Sequence, residues 1–303
     1  MLYGKNYFIN NNYYGVFILK SLSLDDKNLF ENYFTKYPPL ISEYTFTNLY
    51  MWNHKYNIKY DIIDDCLCMA SDNTIFPPVG PAENILSAFD KFYKMLKSDN
   101  NEIYLERFDK DTACKISEIY GIEMLHDEDN FDYVYNTNDL INLFGRKYHS
   151  KKNHINKFLK TYGYSIEEIS INNVNECLKF TENWISSKGI NENSGILSEF
   201  EAIKRVFDNY KYFNIKGIVL RIDGKIEAYS FGERLNPDTA VTHIEKANSE
   251  VPDAYAFINM SFAKIMSNYN YINREQDLGL PGLRKAKQSY HPIKMIYKFK
   301  GKM

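Results

Sequence analysis

The chain has 303 residues, with 44% hydrophobic and 25% charged side chains and a formal net charge of −2 at pH 7. With only 14 Gly, 9 Pro and 4 Cys, this composition excludes collagen-like, low-complexity and small disulfide-stabilised proteins. Because a domain usually has about 100–200 residues, the length fits two domains better than one.

Nothing in the sequence predicts a membrane span or a metal site. The first residues, MLYGKNYFIN, lack the features of a signal peptide, and the chain has no run of about 18 apolar residues. The histidines show no HExxH or HxH spacing, and the cysteines form no CxxC pair. Cys66 and Cys68 share one face of a predicted strand, where both are expected in the core. We therefore expect a cytoplasmic protein with reduced cysteines and no metal.

The first half of the chain has a mixed α/β pattern. Its predicted helices, recognised by apolar residues at helical spacing, cover 24–37, 85–96, 112–120 and the segment SEYTFTNLYMWNHKY. Strand-like runs flank Asp64-Asp65, a pair typical of a hairpin turn. The short strands EIYLERF and FDYVYNT complete this half, which ends near Tyr135.

The second half has clearer signals. Its predicted helices cover residues 145–162, 173–188 and 198–210. Two strands then meet at Asp223-Gly224, the strongest hairpin signal in the chain, because this dipeptide suits a type I′ turn. The order is completed by the strand AVTHIEKA, an amphipathic helix, the strand YINRE, the helix LPGLRKAKQSY and the strand KMIYKFK.

This order of elements resembles the fold of the Gcn5-related N-acetyltransferases (GNAT). In that fold a central strand splays from its neighbour, and the following helix directs its N-terminus at the cofactor pyrophosphate. The helix beginning near Asp253-Ala254 would take that place here. The loop before it, NSEVPD, has none of the glycines that are usual in the phosphate loop.

Two basic segments occur in a chain that is nearly neutral overall. Residues 146–160 contain six Lys or Arg and no acid, and residues 271–303 contain eight Lys or Arg against Glu275 and Asp277. Such segments either fit an anionic partner, namely phosphate, CoA or an RNA backbone, or are ordinary solvated faces.

One lysine of the first basic segment lies on the predicted inward face of its helix. That face is formed at helical spacing by Tyr148, Ile155, Leu159 and Tyr162. Lys152 falls on it, so its ammonium either reaches back to water or points into a cleft. In the second case Lys152 is expected to bind substrate.

The densest polar cluster is REQDLGLPGLRKAKQSY, residues 274–290. Gly279 and Gly282 bracket Pro281, which predicts a tight turn whose backbone can approach a ligand closely. The cations Arg284, Lys285 and Lys287 follow within the next helix, with Arg284 and Lys287 on one face. Together with exposed backbone N–H groups they form a possible anion cradle, and a capped surface helix is the alternative.

The segments GRKYHSKKNHINKF, HIEKA, INREQDLGLPGLRKAKQSYHP and SEYTFTNLYMWNHKY resemble a bacterial family of mostly uncharacterised proteins. That family is similar to the C-terminal domain of phosphatidylglycerol lysyltransferase, and the resemblance covers most of the chain. It implies an α/β (α+β) protein with two tandem acetyltransferase-like (GNAT) domains, each a mixed central sheet flanked by helices. We place these domains at residues 1–135 and 136–303, with the active site in the second.

The resemblance also implies a class of reaction. The lysyltransferases and the Fem-type peptidyltransferases move an aminoacyl group from aminoacyl-tRNA to an amine or a lipid hydroxyl. This sequence lacks the membrane-spanning flippase half of the lysyltransferase, so a phosphatidylglycerol acceptor does not follow. Acyl-CoA or aminoacyl-tRNA is the expected donor, and no tightly bound cofactor is predicted.

Acyl transfer needs a base for the acceptor, a stabilised oxyanion and an acid for the leaving group. Glu245, on the central strand, lies where acetyltransferases often place a base, and a salt bridge with Arg274 is its structural alternative. Tyr290 lies before the last strand, where acetyltransferases often carry the general acid. Asp277 either binds a substrate amine or caps the turn at Gly279.

The remaining candidates are predicted to bind substrate. They are Asn259, Arg274, Glu275, Gly279, Gly282, Arg284, Lys285, Lys287 and Lys152. The predicted function is therefore acyl or aminoacyl transfer to an amine or hydroxyl acceptor. A non-catalytic module of the same fold that holds an anionic ligand or RNA is the alternative, motivated by the missing glycine loop, and a role at a membrane surface is a third.

Overall fold

The computed structural model describes residues 19–98, 101–187 and 195–303. In chain order the strands are β1 (Lys20–Ser21), β2 (Ile58–Ile63), β3 (Cys66–Ser71), β4 (Thr74–Ile75), β5 (Tyr104–Phe108), β6 (Met124–His126), β7 (Asp132–Asn136), β8 (Tyr164–Glu168), β9 (Lys216–Ile222), β10 (Lys225–Arg234), β11 (Thr239–Ala247), β12 (Tyr271–Asn273), β13 (Lys294–Ile296) and β14 (Phe299–Lys302). The α-helices are α1 (Lys27–Lys36), α2 (Phe46–Tyr56), α3 (Ile85–Leu96), α4 (Lys110–Tyr120), α5 (Thr137–Asn142), α6 (His149–Thr161), α7 (Val174–Ser187), α8 (Gly195–Asp208), α9 (Ala254–Ile265) and α10 (Pro281–Gln288).

The predicted helices and hairpins correspond to these elements. The helix predicted at 85–96 is α3, and the one predicted at 173–188 is α7, except that Lys188 lies outside the described residues. The N-terminal segment MLYGKNYFIN also lies outside them. Among the described residues, no helix is both long and apolar enough to cross a membrane.

The described residues form two compact units whose boundaries interleave along the chain. The first contains the residues up to Tyr37 together with Lys55–Glu128 and Tyr297–Met303, and the second contains Pro38–His54 and Asp129–Ile296. This differs from the expected division after residue 135, which cuts through β7. The reason is strand pairing, since β7 pairs with β12 and β13 of the second unit, whereas β14 pairs with β5 and β6 of the first.

The first unit is built on a seven-stranded mixed sheet. Its strand order is β1-β2-β3-β4-β5-β14-β6, with β4 and β5 parallel and the other pairs antiparallel. The predicted hairpin at Asp64-Asp65 joins β2 to β3 with positive φ at both residues, 49° and 59°. The sheet and the helices α3 and α4 enclose a core that includes Phe89, Phe92 and Leu105.

The second unit is built on another seven-stranded mixed sheet, in the order β13-β7-β12-β11-β10-β9-β8. The predicted Asp223-Gly224 turn joins β9 to β10, again with positive φ at both residues. Strand β11 pairs with β10 up to Ala247, but its parallel pairing with β12 stops after Val241. Strand β12 ends at that point, so the rest of β11 has no pairing with β12.

A β-bulge interrupts β11 just beyond its last pairing with β12. Phe231 of β10 pairs with Ile244 and Gly232 pairs with Thr242, so His243 is an extra residue in β11. A Cβ atom at Gly232 would collide with the backbone carbonyl oxygen of Val241. Bulges bend a strand and redirect its side chains. Glycine at 232 is therefore required for the bulge that places His243.

We expect Gly232→Ala to destabilise the protein by about 3 kcal/mol, because the added methyl must displace backbone rather than a flexible side chain. The measurement is the urea midpoint of unfolding. Gly282→Ala is the matched control, because a Cβ at Gly282 meets nothing within 4 Å and lies in the first turn of α10. Alanine there should change stability by less than about 1 kcal/mol. Equal effects of the two substitutions would contradict the bulge argument.

Candidate active site

Three of the predicted site residues meet beside the end of β12. Glu245 lies on β11 beyond its last pairing with β12, and Arg274 follows directly after β12. The Glu245 carboxylate accepts hydrogen bonds from Arg274 Nη2 and from Asn259 Nδ2 of α9, both at 3.0 Å. The alternative considered for Glu245, an ion pair with Arg274, is thus present, and it joins three predicted site residues into one triad.

Two polar atoms of this triad lack a partner. Asn259 Oδ1, an acceptor, and Arg274 Nη1, a donor, are buried and unbonded among the described residues. Each such atom costs about 1–3 kcal/mol when left unsatisfied, and native proteins rarely keep them. A donor and an acceptor on the same hydrogen-bonded triad therefore indicate a place for a ligand that offers both.

Aromatic rings and a second cation surround the Arg274 guanidinium. The guanidinium carbon lies 5.0 Å from the ring centre of Tyr290 and 5.6 Å from that of Tyr135. The Lys151 ammonium lies 4.2 Å from the ring centre of Tyr290. Burial raises the pKa of Tyr290 to about 12, so the phenol is protonated at neutral pH. Burial and the charge of Arg274 lower the pKa of Lys151.

The structure assigns the inward lysine of α6 to position 151, so the prediction for Lys152 is wrong. Lys152 and Leu159 are exposed, whereas Ile155 and Phe158 are buried. The inward face is therefore rotated along the helix toward Lys151. The spacing of Leu159 and Tyr162 predicted the wrong face of α6. The helix has more than one set of apolar residues at helical spacing, so this pattern alone does not fix which face is buried.

Lys287 is buried beneath the triad rather than displayed on α10. Its ammonium donates to the backbone carbonyl oxygen of Arg274, and its own carbonyl accepts a hydrogen bond from the Tyr135 hydroxyl at 2.8 Å. Burial and the charge of Arg274 lower the pKa of Lys287 to about 8. Lys287 thus holds the backbone that carries Arg274.

The predicted anion cradle on α10 is wrong. Arg284 donates to the Asp277 carboxylate through Nε at 2.8 Å and to Asp129 through Nη2 at 2.8 Å. Lys287 is buried away from it, and Lys285 is exposed without a partner in the described structure. The three cations have separate surroundings, because the helix turns Lys287 inward while Asp129 and Asp277 bind Arg284.

Asp277 holds the turn, which is one of its two predicted roles. It is buried and accepts from the Tyr133 hydroxyl at 2.5 Å and from the Gly279 N–H at 2.9 Å, besides Arg284. Burial disfavours the charged form, but these hydrogen bonds lower the pKa of Asp277. Gly279 has φ 71°, and a Cβ there would lie 2.9 Å from Asp129. Gly282, by contrast, has open space around it and no positive φ.

A buried charge network lies beside the triad, and the sequence reasoning missed its centre. His243 Nε2 lies 2.9 Å from Glu233 Oε1, and His243 Nδ1 lies 2.9 Å from Glu275 Oε1. Glu275 also accepts from Asn48 at 3.1 Å. Burial alone would lower the pKa of His243, but the two carboxylates raise it to about 9. Glu275, predicted to bind substrate, is thus bonded to His243.

His243 and Lys151 were not among the predicted site residues, although a local sequence pattern could have indicated each of them. His243 occupies the HIEKA strand two residues before Glu245, so alternation along a strand could have suggested it. Lys151 lies four residues before the buried Ile155, so helical spacing from Ile155 could have indicated it. Within the described residues, no group of His, Cys, Asp or Glu is arranged to hold a metal ion.

The bridged histidine predicts a pH dependence of stability. Because the pKa of His243 rises from 6.5 to about 9 on folding, its contribution is fully present below pH 6.5 and is lost as the pH rises through 9. Between pH 6.5 and 8 we expect the free energy of unfolding to fall by about 2 kcal/mol. Lys287, whose pKa falls to about 8, begins to release its proton at the upper end of this window and offsets only about 0.4 kcal/mol of the fall.

Urea unfolding at pH 6.5, 7.25 and 8 measures this effect. His243→Gln should be less stable at pH 6.5 and should lose most of the slope, because the titrating group is gone. A wild-type free energy that stays flat over this window would show that His243 is neutral in the folded protein.

Comparison with known proteins identifies the family of the chain. Residues 34–300 match the family described as phosphatidylglycerol lysyltransferase, C-terminal. A conserved protein of unknown function from Bacteroides thetaiotaomicron is 30% identical, with a TM-score of 0.88 over 94% of this chain and 99% of its own.

Two more distant structures show the fold. The C-terminal domain of a putative lysylphosphatidylglycerol synthetase from Agrobacterium fabrum is 12% identical, with a TM-score of 0.67 over 91% of each chain. A tandem GNAT protein from the clavulanic acid biosynthesis pathway is 8% identical, with a TM-score of 0.51 over 93% of this chain and 97% of its own. The predicted resemblance and the two GNAT-like domains are thus confirmed. The chain belongs to the family of the phosphatidylglycerol lysyltransferase C-terminal domain and is, in reaction class, an acyltransferase.

Proposed function

We propose that the second unit transfers an aminoacyl group from aminoacyl-tRNA to an amine or hydroxyl acceptor. The observation that carries this proposal is the pair of unbonded buried atoms, Asn259 Oδ1 and Arg274 Nη1. An aminoacyl ester offers an amino group that donates to the first and a carbonyl oxygen that accepts from the second. An acetyl group has no donor and would leave Asn259 Oδ1 unsatisfied, which a buried polar site discriminates against strongly.

The surroundings of α9 also favour a donor other than acyl-CoA. The helix N-terminus is the place where a GNAT fold binds pyrophosphate. Here Asp253 lies at that position, with its carboxylate 2.6 Å from His154 Nδ1. The loop before it adds Glu250 and contains no glycine. A carboxylate at this position repels a pyrophosphate, so the donor is expected to bind elsewhere.

The proposed chemistry uses the triad and Tyr290. The acceptor oxygen or nitrogen attacks the ester carbonyl, and its proton passes to the Glu245 carboxylate. Arg274 Nη1 donates to the carbonyl oxygen and stabilises the negative charge that develops on it. The ester C–O bond then breaks, and the leaving ribose oxygen takes the proton of the Tyr290 hydroxyl. Transfer of the Glu245 proton to Tyr290 restores both groups.

The state of each group suits this assignment. Hydrogen bonds from Arg274 Nη2 and Asn259 Nδ2 hold the Glu245 carboxylate in place as the proposed base. A phenol whose pKa is raised to about 12 is a donor matched to an alkoxide leaving group. Lys151, held over the Tyr290 ring, adds positive charge where the leaving oxygen becomes negative.

The first substrates to test follow from the relatives' names. The Agrobacterium fabrum protein is described as a putative lysylphosphatidylglycerol synthetase, and the family as a phosphatidylglycerol lysyltransferase. Lysyl-tRNA and phosphatidylglycerol are therefore the first pair, followed by other aminoacyl-tRNAs and by small amines.

The test is transfer of radiolabel from [¹⁴C]lysyl-tRNA, other [¹⁴C]aminoacyl-tRNAs and [¹⁴C]acetyl-CoA, with phosphatidylglycerol vesicles or amines as acceptors. We expect a labelled product from an aminoacyl-tRNA and none from acetyl-CoA. Arg274→Lys keeps the charge but lacks the second donor, and should lower the rate about 100-fold. Glu245→Gln should lower it similarly.

Lys264→Ala is the control, because Lys264 lies on α9, the helix of Asn259, with its side chain exposed. It should stay within about threefold of wild type, which is within the range of ordinary surface substitutions. Wild-type rates for Arg274→Lys would refute the assigned role of Arg274. Thermal stabilisation by a donor with no labelled product would instead support the non-catalytic module.

A further inference from the structure

One face of α6 carries polar side chains that can each donate a hydrogen bond. We define the α6 surface as His149, Asn153, Asn156, Lys157 and Lys160, all of which are exposed. These positions lie opposite Ile155 and Phe158, whose burial includes stacking of the Phe158 ring on Phe257 at 4.4 Å. The α6 surface is therefore the outward side of a helix whose inward side is fixed in the core of the second unit.

The positive charge of this surface is not neutralised by the described residues. Lys157 and Lys160 have no carboxylate partner there, and no acid occurs from residue 146 to residue 160. The neighbouring ion pair of Lys147 with Asp139 and the contact of His154 with Asp253 lie to the sides of the α6 surface. In a chain of net charge −2, this is a local concentration of unpaired cations.

The first turn of α6 lies at the candidate active site. The Tyr148 hydroxyl, just before α6, donates to the backbone carbonyl oxygen of Tyr290 at 3.2 Å. In the first turn of α6, Lys151 lies over the Tyr290 ring. From His149 to Lys160 the helix rises about 17 Å. The α6 surface therefore extends along the outward side of a helix whose inward side, at its first turn, contacts Tyr290.

We propose that the α6 surface binds the phosphate backbone of RNA and so positions a tRNA donor with its aminoacyl end at Tyr290, an inference that rests on the proposed function. Lysine, asparagine and histidine all donate to phosphate oxygens, and such contacts orient a nucleic acid without reading its sequence. A membrane-binding helix requires large apolar side chains on its exposed face. The α6 surface has none, which favours RNA over a lipid bilayer.

The experiment measures binding of fluorescently labelled, uncharged bacterial tRNA to the full-length chain by anisotropy at 50–200 mM salt. Lys157→Glu/Lys160→Glu should weaken binding about tenfold and reduce the slope of log K against log salt by roughly 1.5, the share of two phosphate contacts. Lys157→Gln/Lys160→Gln is a second variant for the case in which the two charge reversals disturb folding. It should show the same reduced slope and a smaller loss of affinity.

Lys110→Glu/Lys115→Glu is the matched control, because it makes the same change of net charge on exposed positions of α4 in the first unit. It should lower the affinity less than threefold and leave the slope unchanged. An equal loss in both variants, or no loss in either α6 variant, would overturn the proposal. So would loss of binding to phosphatidylglycerol vesicles with tRNA binding intact, since the surface would then bind lipid.

This readout is separate from the transfer reaction. Uncharged tRNA carries no aminoacyl group, so its binding does not depend on Arg274 or Glu245 chemistry. If wild-type protein binds tRNA through α6 but transfers no label, the proposed function fails and the binding surface stands. If label is transferred and the α6 variants bind tRNA normally, the surface fails and the function stands.

Discussion

The candidate site depends on one buried cation, the guanidinium of Arg274. Strand β12 ends beside Val241, and Arg274 follows the end of β12 with Glu245 of β11 as its counter-ion. Taking an arginine out of water costs several kcal/mol unless a partner and further hydrogen bonds compensate. Removing Glu245 would leave that cation uncompensated, so the same pair that serves the proposed chemistry also ties β11 to the segment after β12.

Two lysines lie close to the buried guanidinium of Arg274. Lys287 reaches the backbone of Arg274 from below, and Lys151 lies over the ring of Tyr290. In a poorly solvated setting, like charges disfavour one another, and the pKa of each lysine is lowered, chiefly by burial and then by Arg274. Glu245 offsets part of this effect, because its carboxylate acts in the opposite direction on the pKa of both lysines. In the proposed reaction, the charge of Lys151 lies beside the oxygen on which negative charge develops, which suits ester cleavage.

The elements were more predictable than the contacts of their side chains. Hairpins at Asp64-Asp65 and Asp223-Gly224 follow from local turn chemistry, because positive φ at both residues selects few dipeptides. The pairing of Glu245 with Arg274 was also considered, since both flank the central strands.

The interleaved boundaries of the two units could not be predicted from local sequence patterns. Strand β14 joins the first unit although it ends the chain, because its pairing with β5 and β6 is a long-range choice. Periodicity likewise placed the inward face of α6 on the side of Lys152 and Leu159, which are exposed. The bulge that adds His243 to β11 depends on the fit between Gly232 and Val241, a contact across strands that no local pattern encodes.

The proposal places anion recognition at a different position from the one that a GNAT fold uses. A GNAT fold presents the N-terminus of the helix after the central strand, where backbone N–H groups and the helix dipole attract phosphate. In this chain Asp253, hydrogen-bonded to His154, occupies that position, while Lys157 and Lys160, which have no carboxylate partner among the described residues, lie on the side of α6. A helix terminus binds one compact phosphate group, whereas a row along a helix side matches a repeating backbone. Replacing a helix-terminus site with a row of cations along a helix side is the change that a polymeric donor would require in place of a small nucleotide cofactor.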